Sequence, residues 1–129
     1  SLTHRGPDSE GSWHSKTATL GHRRLSILDL TDHAAQPMLN VEGVLVLTYN
    51  GEIYNYQELR DELGSADSWK STGDTEVLLR AYERWGVGCL NKLNGMFAFA
   101  IWDKTENKLL LARDPFGIKP IVFCLLDRC

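Results

Sequence analysis

The run Met96-Phe97-Ala98-Phe99-Ala100-Ile101-Trp102-Asp103 constrains this chain more than any other stretch. It is apolar and β-compatible, opens after Gly95 and stops at the polar connection Lys104-Thr105-Glu106-Asn107. A strand of that length needs a partner, and Lys108–Arg113 supplies one across the connection, so a buried hairpin is predicted. Its aromatic side chains read as core rather than as the lining of a ligand box. The whole chain, residues 1–129, is the size of one domain and can bury a core of its own.

Composition narrows the class. Hydrophobic residues make up 43% and charged residues 24%, an ordinary soluble balance with no apolar run of membrane-spanning length. A net charge of -3 and a pI near 5.8 give no basic footprint, which argues against nucleic acid as a partner. Cys89, Cys124 and Cys129 form an odd set without a CxxC pair or metal-type spacing. They fit structural thiols in a reducing cytoplasm, and no metal site is predicted.

Other segments follow from local chemistry. His4-Arg5-Gly6-Pro7-Asp8 reads as a tight connection leading into a first strand. Residues 17–30 read as a strand pair interrupted near Gly21, and residues 31–40 as loop. A short helix is predicted over residues 56–64, closed by Gly64, followed by a brief extended piece over residues 69–73. Val77, Leu78, Ala81, Tyr82 and Trp85 then share one helical face up to Gly86, and residues 87–93 can continue as a second helical segment.

Three features admit both a structural and a chemical reading. Val44-Leu45-Val46-Leu47-Thr48-Tyr49 is a strand that runs into Asn50-Gly51, a dipeptide favoured in tight turns, so a hairpin is the ordinary expectation. The same carboxamide and glycine amide, side by side at a strand end, can also donate to a developing oxyanion in acyl transfer. Arg23 and Arg24 are either solvated or able to present a planar fork to a carboxylate. Asp74 ordinarily caps the helix it precedes.

Taken in order, His4-Arg5-Gly6-Pro7-Asp8, residues 21–29, Gln36-Pro37-Met38 and residues 49–56, 71–77, 95–102 and 112–120 resemble the class II glutamine amidotransferase domain at the front of glutamine-dependent asparagine synthetases. The blocks stand in family order across nearly the whole chain. Phosphoribosylpyrophosphate and fructose-6-phosphate amidotransferases are similar in outline but carry His-Thr-Arg-Trp where this chain has His22-Arg23-Arg24-Leu25, the asparagine-synthetase form. The resemblance implies an α+β fold of the N-terminal-nucleophile (Ntn) hydrolase type, a four-layer αββα sandwich of antiparallel sheets, here lacking its first strand.

It also implies roles. Arg24 would hold the α-carboxylate of L-glutamine, with backbone at Leu25, Ser26, Ile27 and Leu28 lining the pocket. Asp74 would receive the α-ammonium, Asn50 and Gly51 would form the oxyanion hole, and Glu52 would lie against the substrate. The family's nucleophile is an N-terminal cysteine whose own α-amine acts as base. No such cysteine is present, and Ser1 stands too close to the His4 block to replace it. The chain is therefore expected to be a partial glutaminase domain without turnover of its own, and its match ends near residue 120.

The complete parent would release ammonia from glutamine for amidation of aspartate in a synthetase domain. That domain, absent here, would bring ATP and Mg, with no cofactor in the glutaminase part. A homodimer of the full enzyme is one assembly this allows. A non-catalytic glutamine-binding or interaction module, or a glutaminase serving a different acceptor acid, are the alternatives.

Overall fold

The structure, a computed structural model, describes residues 9–24, 35–64 and 68–126, with backbone alone at Ser9, Glu10 and Arg24. Its centre is a four-stranded antiparallel sheet in the order β3 (Met38–Leu39), β4 (Leu45–Ile53), β5 (Gly95–Asp103), β6 (Lys108–Arg113). Alternation along the two central strands sorts their side chains between faces. Leu45, Leu47, Tyr49 and Ile53 of β4 join Phe97, Phe99 and Ile101 of β5 on one face. They pack there against Leu59 of α1 (Tyr56–Leu63) and Val77 and Leu78 of α2 (Asp74–Trp85).

On the opposite face, Val46 and Trp102 meet Leu20 of a second sheet, in which β1 (Ser9–His14) pairs antiparallel with β2 (Thr19–Arg24). The fold is thus α+β, with helices, a four-stranded sheet and a two-stranded sheet in successive layers. Among the described residues the helices lie on one face only, so these residues draw three of the four expected layers.

Both helices end as their glycines predict. Gly64 (φ +76°) donates its amide to the carbonyls of Arg60 and Asp61, and Gly86 (φ +60°) to that of Tyr82. The expected helical continuation is a 3-10 helix, Gly86–Lys92. The β5–β6 hairpin forms as predicted, with Asp103 opposite Lys108, and Asp103 accepts the Thr105 and Glu106 amides inside its turn. Only β5 is buried, however: β6 is the edge strand, and its Leu109 and Leu111 are exposed on the face they share with Trp102 and Ala100.

Three local expectations change. Asn50-Gly51 is not a turn: β4 runs straight through it to Ile53, and Gly51 (φ +151°) pairs with Phe97. Its glycine answers a different demand, since a Cβ there would lie 2.7 Å from the Phe97 Cα and overlap the Met96 carbonyl. β2 is not interrupted at Gly21 and pairs with β1. Within the expected loop, Met38–Leu39 adds to the sheet opposite Leu47 and Val46. The strand stops there because at the next bonded position it is the Gln36 side chain, through Oε1, that accepts the Tyr49 amide.

Candidate active site

The site is built on the free edge of β4. The bonds from the Tyr54 amide to the Asn94 carbonyl (2.7 Å) and from the Lys104 amide to the Val44 carbonyl (2.9 Å) frame the β4–β5 ladder. They place the even-numbered residues of β4 in the hydrogen-bonded pairs, so the odd-numbered amides point to the other edge. β3 pairs with that edge only as far as Leu47. Beyond it, the Tyr49 amide donates to Gln36 Oε1 (2.6 Å) and the Ile53 amide donates to Asp74 Oδ2 (2.9 Å). Between them the Gly51 amide faces the same edge, and no described residue accepts it.

Asn50 adds a second donor at this strand end. Its backbone pairs with Ala98 while its carboxamide is exposed and lines a cleft of about 220 Å3, shared with His22, Thr48, Ala100 and Ile121. Glu52 follows, half-buried and paired with Met96. Leu20 shares a cluster with Val46, and His22 Nδ1 shares a hydrogen bond with Thr48 Oγ1 at 3.2 Å. These neighbours make β2 run in the direction of β4, so β2 ends, at Arg24, at the end of the sandwich that holds Asn50 and Gly51. The Arg24 side chain and Leu25, Ser26, Ile27 and Leu28 lie outside the described residues, as does the His4 to Asp8 block.

Asp74 departs from its expected role as a cap. It is the first residue of α2, after Gly73, and makes no capping bond. Its Oδ2 instead accepts the Tyr49 hydroxyl at 2.6 Å and the Ile53 amide at 2.9 Å, with only 5% of the residue exposed. Burial, then the Asp74 charge, push the Tyr49 phenol well above its usual range, so it stays a donor. The carboxylate is thereby fastened to the strand that carries Asn50 and Gly51.

What holds Asp74 at that height is the segment before α2. Buried Glu76 accepts the amides of Lys70 and Ser71 and the Ser71 hydroxyl, and pairs with Arg80 at 2.9 Å. Arg80 and Arg60 lie over the Trp69 ring, 4.2 and 4.4 Å from its centroid. A second buried carboxylate, Asp114, organises the chain after β6: it accepts the amides of Phe97, Ile118 and Lys119. Sequence reasoning passed over Gln36, Tyr49, Glu76 and Asp114. Glu76 gave no signal, because a glutamate in the first turn of an amphipathic helix ordinarily faces solvent.

Burial alone would raise the Asp114 carboxyl, but the Lys119, Ile118 and Phe97 amides outweigh it and hold the group near 2. A carboxyl depressed on folding stabilises the fold above its ordinary value near 3.9, and that contribution is lost as pH falls towards 2. Protection of the Ile118 and Lys119 amides, measured as exchange relative to the intrinsic rate at each pH, is therefore expected to fall across this window in the wild type. D114N should remove the pH dependence; unchanged dependence in that variant would point to another group.

Cys89, wholly buried in the 3-10 helix, is pushed up to about 11 by burial and is no thiolate nucleophile at neutral pH. Among the described residues no group of His, Cys, Asp and Glu is placed to hold a metal ion, and no helix is long and apolar enough to cross a membrane.

The chain is similar to known proteins. A family model described as a glutamine amidotransferase domain matches residues 1–128. Glutamine-hydrolyzing asparagine synthetase 1 of Bacillus subtilis (strain 168) is 44% identical over 127 residues, 98% of this chain and 20% of that protein. Glutamine-hydrolyzing asparagine synthetase B of Escherichia coli (strain K12) is 44% identical over 120 residues, 93% of this chain and 22% of that protein. The chain thus spans about a fifth of the length of these relatives. Among solved structures, the glutamine phosphoribosylpyrophosphate amidotransferase of B. subtilis superposes with a TM-score of 0.64 at 28% identity, over 79% of this chain and 24% of that one. With an Ntn-type α+β frame and matches of this extent, the chain belongs to the glutamine amidotransferase domain family, in the form carried by glutamine-hydrolysing asparagine synthetases.

Proposed function

We propose that this chain binds L-glutamine at the free end of β4 and forms the glutaminase unit of a longer asparagine synthetase. The observation that carries this reading is the Gly51 amide, a donor that no described residue takes, on a strand whose flanking edge amides at Tyr49 and Ile53 are both taken. Attack of a thiolate on the glutamine side-chain carbonyl moves an electron pair onto its oxygen. The Gly51 amide and the Asn50 carboxamide donate to that oxyanion. Collapse of the adduct breaks the C–N bond as the nitrogen takes a proton, so ammonia leaves and a thioester remains for water to hydrolyse. The thiolate belongs to an N-terminal cysteine of the parent enzyme.

Asp74 receives the substrate's α-ammonium and Arg24 its α-carboxylate, which discriminates an amino acid from a simple amide. Glu52 and the backbone of Leu25, Ser26, Ile27 and Leu28 complete the pocket. The ammonia amidates aspartate in the synthetase part of the parent, where ATP and Mg activate the acid. A reducing cytoplasm is the compartment, in keeping with the free thiols of Cys89 and Cys124.

Calorimetric titration of the chain with L-glutamine tests the reading through binding rather than turnover. D74N is expected to weaken binding by about tenfold or more, the cost of removing a charge from a buried ammonium partner. In an isotope-labelled sample, glutamine should also shift the Gly51 amide and the Asn50 carboxamide. Binding that leaves both signals in place would move the substrate elsewhere and sink the proposal.

A further inference from the structure

We infer that Tyr49 is a positioning residue for amino-acid recognition, acting through Asp74 and resting on the assignment of that carboxylate to the substrate ammonium. The geometry is specific. Tyr49 sits on β4 next to Asn50, is 4% exposed, and its ring lies in the core between the sheet and the helices. Its hydroxyl reaches Asp74 Oδ2 at 2.6 Å, the oxygen that also takes the Ile53 amide at 2.9 Å. The donors come from two points of one strand and converge on one oxygen, which fixes both the height and the rotation of the carboxylate.

Among the described residues no donor is assigned to the other oxygen, Oδ1. The pair of bonds therefore holds Asp74 by one oxygen and leaves the second for a cation. The phenol's proton cannot be lost at neutral pH, because burial and the Asp74 charge both oppose its ionisation. An aliphatic or phenyl side chain in its place fills the same core but leaves the carboxylate anchored by the Ile53 amide alone. The consequence falls on the ammonium end of the substrate only. The amide end is handled by Asn50 and Gly51, whose donors do not involve the Tyr49 hydroxyl.

The test uses two ligands, L-glutamine and glutaramate, which keeps the carboxylate and side-chain amide but lacks the α-amine. Both are titrated into the wild-type chain, Y49F, Y49L, D74N and Y49F/D74N, with thermal melts identifying the variants that fold. Wild type is expected to prefer glutamine. Y49F, or Y49L if only that variant keeps the wild-type melt, should bind glutamine about tenfold more weakly and glutaramate within twofold of wild type. The double variant should bind no more weakly than D74N, since the tyrosine acts through the carboxylate.

Equal weakening of both ligands would make Tyr49 a merely structural residue, and unchanged glutamine affinity would remove its role; either overturns the inference alone. A wild-type chain that does not distinguish the ligands, or binds neither, overturns the assignment of Asp74 and this inference with it.

Discussion

Gly51→Ala is expected to lower the stability of this domain by roughly 4 kcal/mol, because two separate costs fall on one added carbon. The first is conformational. At φ +151° an L side chain is strained, typically by about 1–3 kcal/mol. The second is steric: the new Cβ would lie 2.7 Å from the Phe97 Cα and overlap the Met96 carbonyl oxygen. Both neighbours are backbone, so no rotamer change relieves the clash, and forcing β4 from β5 disturbs the central pairing of the sheet. Overpacking of this kind costs about 1–3 kcal/mol.

Gly64→Ala is the control. It shares the positive φ (+76°), but a Cβ there meets nothing within 4 Å, so only the conformational cost of about 1–3 kcal/mol is expected, without the steric one. Denaturant melts of the two variants check the pair. If G51A loses no more than G64A, the close approach of the strands is wrong.

Glu76→Ala is expected to cost about 3–4 kcal/mol, the range for breaking a buried, hydrogen-bonded charge pair. The loss exceeds that of one contact because the carboxylate serves the Lys70 and Ser71 amides, the Ser71 hydroxyl and Arg80 together. Without it the Lys70 and Ser71 amides and the Ser71 hydroxyl lose their acceptor, and Arg80, which also donates to Ser68, loses its ionic partner. The damage should travel, since residues 68–73 set where α2 begins and hence where Asp74 meets Tyr49. Glutamine binding is expected to fall along with stability.

The same group predicts a pH dependence. Burial alone would raise the Glu76 pKa, but the Lys70 and Ser71 bonds and the Arg80 charge reverse that and lower it. Its contribution is therefore complete above the ordinary carboxylate value near 4.3 and is lost as pH falls through the lowered one. Urea melts at neutral and acid pH check this. The gap between wild type and E76Q should shrink on acidification, and a constant gap would argue against Glu76 as the titrating group.

Where regular periodicity carried the signal, the fold was legible in the sequence. The apolar run of β5, the turn before β6 and the apolar face of α2 are local patterns, and the structure follows them. Asn50-Gly51 misled because the sequence shows that glycine permits an unusual backbone but not why one is needed. The reason lies at Met96 and Phe97, which the fold brings in from a distant strand. Asp74 shows the same limit. Its position announces a helix start, yet its partners, Tyr49 and Ile53, are more than twenty residues away and belong to a strand. The resemblance to amidotransferases supplied Asn50, Gly51, Glu52 and Asp74 as a set; it did not disclose the side chains that hold them.

The brevity of β3 has a meaning for catalysis. A sheet normally silences its own donors: each amide finds a carbonyl on the next strand, and the edge becomes chemically inert. Here the ladder stops at Leu47, and a glutamine side chain and an aspartate take the places that backbone carbonyls would have filled on either side of Gly51. On the assignment of the Gly51 amide proposed above, the donor offered to the substrate is a missing rung. Any change that lengthened β3 until a carbonyl faced Gly51 would act as an inhibitor tethered to its own target, competing with substrate for one hydrogen atom while leaving every active-site residue in place.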